Sequence, residues 1–351
     1  MSSPLLSICI PTFNRAALLE LMLASLYRQI SHLKGRVEMV VSDNASSDNT
    51  WQIVLAYKDK PYVRIVKLED PSTVLGNFAS VIEAASGEYV WIVGDDDWIL
   101  PGGVNHVVAA IAGNPKIDYV FANYFCDTIE RRDHLIRQEL DGQDLGNFHP
   151  PRKKYARFSV ADRLVPKWEQ LWNLPGGGHR LWLHTSIVGH ILRRSIWVAN
   201  MHWLKAITAK DSPSPPRFYP HLVIVAKWMV GKPCYYLGSP CVLMGQGSQG
   251  WVEINPILHL QCMPQVIAFY ESLGLDKRLT RSFKSEQLLG GGNSFLQLWH
   301  NAKIREQYTF SMAQYVKEHG LNPRFWLGLL RVPLGRCKRM VLAYVRHVWP
   351  V

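Results

Sequence analysis

The sequence predicts an α/β fold, a mostly parallel sheet flanked by helices, with a helical, basic C-terminal extension. Three observations predict it. Through the first 125 residues short apolar runs alternate with stretches of helical period, the pattern of strands joined by crossover helices. Three polar segments, Pro11–Arg15, Asp43–Ser46 and Asp95–Asp97, each follow an apolar run, and open parallel sheets bind ligands outside such strand ends. From residue 256 onward helical spacing dominates, broken by turns at Gly290–Gly292 and Gly320–Pro323.

The elements follow in order. Leu5–Ile10 reads as a buried strand ended by Pro11, and Ala16–Gln29 as a helix with Leu18, Leu19, Met22 and Leu26 on one side. Val37–Ser42 is a second strand; Asp48 or Ser47 is positioned to cap a helix over Thr50–Tyr57. Tyr62–Lys67 is a third strand and Val74–Ala85 a third helix. Tyr89–Val93 is a fourth strand that runs into Gly94 and the three aspartates. Gly103–Ala112 is helical, and Tyr119–Phe125 is strand-like. The middle section is less regular. Leu183–Leu192 reads as a strand and Leu222–Val230 as a helix, and seven of the 13 tryptophans lie here. Most of these belong in a core, with one or two expected to face the acceptor.

Composition narrows the class. A hydrophobic fraction of 48% against 19% charged residues excludes a disordered chain. No uncharged apolar run reaches the roughly 18 residues that a membrane span needs. Met1–Pro4 has neither the basic nor the apolar region of a secretory signal. The six cysteines are scattered without a CxxC pair, so neither a zinc site nor a disulfide framework is expected, and a reducing cytoplasm fits. The formal net charge is +11, unevenly spread. Residues 277–351 hold 13 Lys and Arg against three acids, a balance of +10, on a body of +1. Such a tail points to an anionic surface, membrane or nucleic acid.

The residues that carry chemistry sit at the strand ends. Asp95, Asp96 and Asp97 repel one another unless solvated or bound to a cation, and carboxylates suit Mg²⁺ or Mn²⁺ shared with substrate phosphates. The competing reading is a solvated acidic turn. Pro11, Thr12, Phe13, Asn14 and Arg15 bring backbone N–H groups, a hydroxyl, an amide and a guanidinium into one loop, suited to a nucleotide or to an ordinary helix cap. Asp43, with Asn44 beside it, stands at a strand end, suited to accept from a base N–H or to an ordinary polar loop. Asn77 opens the third helix, facing either a ligand or solvent.

Taken together, in this order and spacing, Pro11–Arg15, Asp43–Thr50, Asn77, Ala85–Tyr89 and Asp95–Asp97 resemble the family 2 glycosyltransferases of GT-A fold. The resemblance covers about the first 110 residues. Trp91–Asp97 is most similar to the branch of bacterial polysaccharide and O-antigen transferases that includes abequosyltransferases. The resemblance implies a nucleotide-sugar-binding half over residues 1–125, an acceptor-binding half over 126–255 and a helical basic region over 256–351. It implies a nucleotide-sugar donor held by Pro11, Thr12, Phe13, Asn14, Arg15, Asp43, Asn44, Asn77, Asp95 and Asp96. It further implies Mn²⁺ or Mg²⁺ on Asp95 and Asp97, and inverting transfer to an oligosaccharide or lipid-linked glycan acceptor. Family members often supply the general base from an acidic pair near a helix start. Here that region reads Phe218–Leu222, which makes His221 a candidate base and Asp211 its rival, with His179 and His184 further possibilities.

Arg336–Trp349, taken as a helix, separates Cys337, Met340, Val341, Tyr344, Val345 and Val348 from its basic residues. Phe325–Leu330 lies between Arg324 and Arg331. Such a basic amphipathic segment suits a membrane interface; the competing reading is a terminal helix packed on the body with its basic face in water. The expectation is a cytoplasmic enzyme, peripheral on the inner face of the cell membrane, acting in surface polysaccharide or O-antigen assembly. No nucleic-acid partner is expected. Two alternatives stay open: a sugar nucleotidyltransferase, and a non-catalytic glycan- or nucleic-acid-binding protein on the same fold.

Overall fold

In the computed structural model the described residues are 3–143, 145, 161–174, 184–208, 213–247 and 252–332. His179, Asp211, Trp182, Trp251 and the Arg336–Trp349 segment lie outside them. Two compact units are present. One comprises residues 1–211 and 219–249, the other 212–218 and 250–351.

The first unit is built on one nine-stranded sheet. Its N-terminal half alternates β1 (Leu6–Thr12), α1 (Ala16–Ile30), β2 (Val37–Asp43), α2 (Thr50–Leu55), β3 (Val63–Lys67), α3 (Val74–Ala84) and β4 (Tyr89–Ile92). These four strands pair in parallel in the order β3-β2-β1-β4. β1 and β2 are buried along nearly all their length, as a sheet covered by helices on both faces requires. β1 runs on through Pro11 to Thr12, beyond the expected stop. Val93 N–H donates to the Cys9 carbonyl, so Cys9 and, two residues on, Pro11 face β4. β4 has ended at Ile92, so the N–H that proline lacks leaves no ladder bond unmade.

The sheet continues with β5 (Asp97–Ile99), β6 (Tyr119–Thr128), β7 (Arg163–Val165), β8 (His190–Arg193) and β9 (Cys234–Gln246). β8 lies antiparallel between β4 and β6, β9 is parallel to β6, and β5 and β7 are antiparallel to β9. The sheet is therefore mixed beyond β4. Of the expected strand over Leu183–Leu192, the described residues 184–192 contribute only to the short β8, after a 3-10 turn at Ile187–Gly189. Residues 234–246, to which the sequence analysis assigned no element, form the longest strand. Gly238-Ser239-Pro240 breaks their apolar run into two pieces. The pieces join through a register shift between Ala122 and Tyr124 of β6, where buried Asn123 donates to the Gly238 carbonyl.

α4 (Gly103–Gly113) and α5 (Ile129–Leu140) pack on this second half of the sheet. Trp168, Trp172 and Trp197 are fully buried, in accord with tryptophan as core. Among the described residues five cysteines are free. The second unit is helical, with Ile257, Leu260, Phe295, Leu298, Tyr315 and Phe325 in its core. No described helix is long and apolar enough to cross a membrane.

Candidate active site

The ends of β1, β2 and β4 open side by side, and hydrogen bonds stitch their loops together. Thr12 pairs with Asp43 in the β1–β2 register, and Asn44 N–H donates to the Thr12 carbonyl at 3.0 Å. Asn77, buried in the first turn of α3, donates its Nδ2 to the same carbonyl at 3.2 Å. The Thr12 hydroxyl donates to Asp95 Oδ2 at 2.7 Å. One threonine thus connects β2, α3 and the acidic turn.

The flanking loops are locked in the same way. Ser46 donates to the Asp43 carboxylate from both its N–H and its hydroxyl. Asn14 Oδ1 accepts from Ser47 N–H at 2.8 Å, and Arg15 N–H donates to Thr50 Oγ1 at 2.8 Å. Asn44 and the Ser72 backbone exchange two hydrogen bonds. Asn14 and Ala45 adopt left-handed backbone, with φ of 52° and 58°. Asparagine tolerates this conformation, whereas alanine is strained there by about 1 kcal/mol. Phe13 is 46% exposed beside this loop. Asp48 accepts from Thr50 N–H at 2.9 Å, but the residue that caps α2 is Asn49, without a side-chain hydrogen bond, and not the expected Asp48 or Ser47.

The acidic turn is buried, not a solvated turn. Gly94 and Asp97 exchange hydrogen bonds: Asp97 N–H donates to the Gly94 carbonyl, and Gly94 N–H to Asp97 Oδ2 at 3.1 Å. A Cβ on Gly94 would stand 2.7 Å from Asp96 Oδ1 and 2.9 Å from Asp97 Oδ2, so glycine lets these carboxylates fold back over it. Asp95 and Asp97 are buried, while Asp96 is partly exposed. Burial, and then the Asp96 charge, push Asp95 up to about 7, against the Thr12 hydrogen bond and the charges of Arg15 and Arg132. Burial, and then Asp96, also raise Asp97 well above the usual carboxylate range.

Asp97 Oδ1 is buried without a hydrogen-bond partner, and so is Asn77 Oδ1. Two buried carboxylates, one with an orphaned oxygen, form a donor set that fits a hard divalent cation. Among the described residues no group of three or more His, Cys, Asp or Glu side chains is arranged to hold a metal. A pair of carboxylates suffices when substrate phosphates complete the shell, as Mg²⁺ sites commonly require.

Of the candidate bases, His221 is buried at the start of the Pro220–Met229 helix. Its ring lies 4.7 Å from that of His190, and its Nε2 stands 3.3 Å from the His184 carbonyl. Burial holds it well below the usual histidine value. The structure thus brings His221 together with His184 and His190 in an aromatic cluster, and Thr12, Asn77, Asp95 and Asp97 together at the strand ends. Two contributors to the turn escaped the sequence analysis. Arg132 on α5 reaches the Asp95 carbonyl at 3.0 Å. Gly245 on β9 is so close that a Cβ there would stand 2.1 Å from the Asp96 carbonyl oxygen. Neither carries a local signal: arginine in a polar helix reads as a solvated residue.

A parallel half, an acidic turn at the end of its fourth strand and a mixed second half define a GT-A-like glycosyltransferase fold. Comparison agrees: residues 7–164 match the model of glycosyl transferase family 2. The chain is 30% identical over 167 residues to the GalNAc(5)-diNAcBac-PP-undecaprenol beta-1,3-glucosyltransferase of Campylobacter jejuni, covering 47% of this chain and 49% of that one. It is 36% identical over 96 residues to the abequosyltransferase RfbV of Salmonella typhimurium, covering 26% and 28%. The chain therefore spans half or less of the length of these curated relatives. The structure of S. aureus TarS residues 1–349 with UDP-GlcNAc superposes with a TM-score of 0.59 at 17% identity, covering 89% of this chain and 80% of that one. At that identity the likeness is one of fold.

Proposed function

We propose that the chain is a metal-dependent, inverting glycosyltransferase. It moves a sugar from a nucleotide-sugar donor to a lipid-linked oligosaccharide acceptor in bacterial surface polysaccharide or O-antigen assembly. The observation that carries the reading is the buried carboxylate pair Asp95 and Asp97, with its orphaned Oδ1, joined through Thr12 to the loops that end β1 and β2.

Asp95 and Asp97 would hold Mn²⁺ or Mg²⁺. When bound, the ion supplies a Lewis acid that offsets the charge of the departing nucleoside diphosphate. The chain's own residues do the rest. Pro11–Arg15 and Asp43–Asn44 frame the nucleotide, and exposed Phe13 offers it an aromatic face. Thr12, itself held by Asn77, fixes the Asp95 carboxylate and Gly94 N–H holds that of Asp97 before substrate arrives, so little reorganisation is left for the reaction. The acceptor oxygen bonds to the anomeric carbon from the face opposite the diphosphate. The bond to the diphosphate breaks, and the acceptor proton passes to a general base. His221 and Asp211 are the candidates for that base; the burial of His221 weighs against it.

The lipid-linked acceptor is supported by the Campylobacter jejuni relative, whose name includes an undecaprenol diphosphate. Peripheral attachment to the inner face of the cell membrane is supported by charge and by the surface of the second unit. Leu321, Trp326, Leu327 and Leu330 are exposed there, Leu321 at 98%, with Arg324 and Arg331 exposed alongside. Apolar and cationic groups on one surface suit an anionic bilayer.

The test is a thermal-shift screen of nucleotide sugars with Mn²⁺, repeated on Asp97→Ala. The wild type is expected to be stabilised by one donor class only when Mn²⁺ is present. Asp97→Ala is expected to lose that stabilisation and at least about 100-fold in transfer rate, since removing a metal ligand forfeits several kcal/mol of charge stabilisation. An unchanged Asp97→Ala would remove the metal assignment.

A further inference from the structure

Among the described residues Arg132 is the largest fully buried charged side chain, and it lies outside every motif described above. It sits in the first turns of α5, which Thr128 opens by accepting from Arg131 N–H. A guanidinium is always charged, so complete burial is costly unless its N–H groups find acceptors. Here they do. Nη1 donates to the Asp95 backbone carbonyl at 3.0 Å, Nη2 to the Leu18 carbonyl of α1 at 2.9 Å, and Nε to Asp133 at 2.9 Å. One planar fork therefore ties the acidic turn to α1. From another side the turn rests on β9, where the missing side chain of Gly245 leaves room for the Asp96 carbonyl and for Ile129 of α5.

We propose that Arg132 is the positioning residue of the cation site: it holds the Asp95 backbone so that the carboxylates of Asp95 and Asp97 converge. This inference rests on the assignment of those two carboxylates to a divalent ion. Asp95 and Asp97 flank a single residue, so a shift of the backbone between them moves both ligands at once. The fork spans two carbonyls in fixed geometry, which a lysine ammonium, a single point charge, does not reproduce. The local charge also fits. One guanidinium, paired through Nε to Asp133, acts electrostatically on both buried carboxylates, Asp95 and Asp97.

The experiment compares wild type, Arg132→Met and Arg132→Lys, each checked for a cooperative melt. Bound Mn²⁺ is read by electron paramagnetic resonance, in the presence and absence of UDP. Both variants are expected to bind Mn²⁺ about 10- to 100-fold more weakly, the range for loss of an outer-shell partner, with lysine the milder. Donor KM at fixed Mn²⁺ should rise, and excess Mn²⁺ should restore it, which a purely structural role would not produce. If Arg132→Met fails to melt cooperatively, Arg132→Lys carries the test. Variants that bind Mn²⁺ as the wild type does, beside a wild type that binds it and turns over donor, overturn the role of Arg132 alone. A wild type that neither binds Mn²⁺ nor turns over a nucleotide sugar overturns the assignment beneath it as well.

Discussion

Thr12 is the residue on which the site turns. Its carbonyl accepts from Asn44 and Asn77, and its hydroxyl reaches Asp95. Thr12→Val keeps the shape and the backbone and removes only the hydroxyl. It is expected to leave Asp95 short of a hydrogen bond, at a cost of about 1–3 kcal/mol. The half-saturating Mn²⁺ concentration for transfer should rise, and the melting temperature without metal should change by a few degrees at most; equal Mn²⁺ dependence would contradict the role given to Thr12. Legibility at this scale follows locality. Pro11–Arg15, Asp43 and Asp95–Asp97 stood out because each motif is contiguous and follows an apolar strand. Arg132 and Gly245 did not, because their meaning lies in what they touch. An arginine next to Arg131 and Asp133 looks like a solvated helix face until α5 is laid against the turn.

Among the elements, the parallel half was readable because buried parallel strands are continuous apolar runs and the helices between them keep their period. Expected and observed ends differ by a residue or two for β2, β3, α3, β4 and α4. β9 was unreadable because Gly238-Ser239-Pro240 looks like a loop, although Asn123 bridges the break. α5 was hidden by its polar composition. β6 and β8 also carry a consequence for acid stability. His190 Nε2 faces the His184 carbonyl at 2.8 Å and so must donate, which leaves Nδ1 to accept from the Tyr119 hydroxyl. The ring is neutral, and burial lowers its pKa to about 4. Below pH 6.5 the unfolded chain takes up a proton that the folded chain refuses. Stability should therefore fall as pH drops from about 6.5 to about 4, by roughly 3 kcal/mol for this residue, and its contribution should level off below that. His190→Gln should flatten the fall in melting temperature over this window. An identical pH slope in variant and wild type would refute the assignment.

For the whole molecule, charge and surface underlie the proposed membrane attachment. The +11 resolves into a near-neutral body and a +10 tail, and the second unit exposes Trp326, Leu327 and Leu330 near Arg324 and Arg331. Each basic residue near an anionic leaflet contributes about 1 kcal/mol to binding. Removal of residues after Gly320 should therefore weaken sedimentation with anionic liposomes and spare donor binding. Trp326→Ala should weaken it in part. Unchanged liposome binding would reduce the excess charge to a solvated face.

The central claim is glycosyl transfer that depends on Asp97. The most direct measurement incubates the chain with a nucleotide sugar, Mn²⁺ and a lipid-linked acceptor extract, and identifies the released nucleotide product. Nucleoside diphosphate is expected in step with glycan extension, with near-abolition in Asp97→Ala. Release of pyrophosphate, or equal turnover by Asp97→Ala, would contradict the claim.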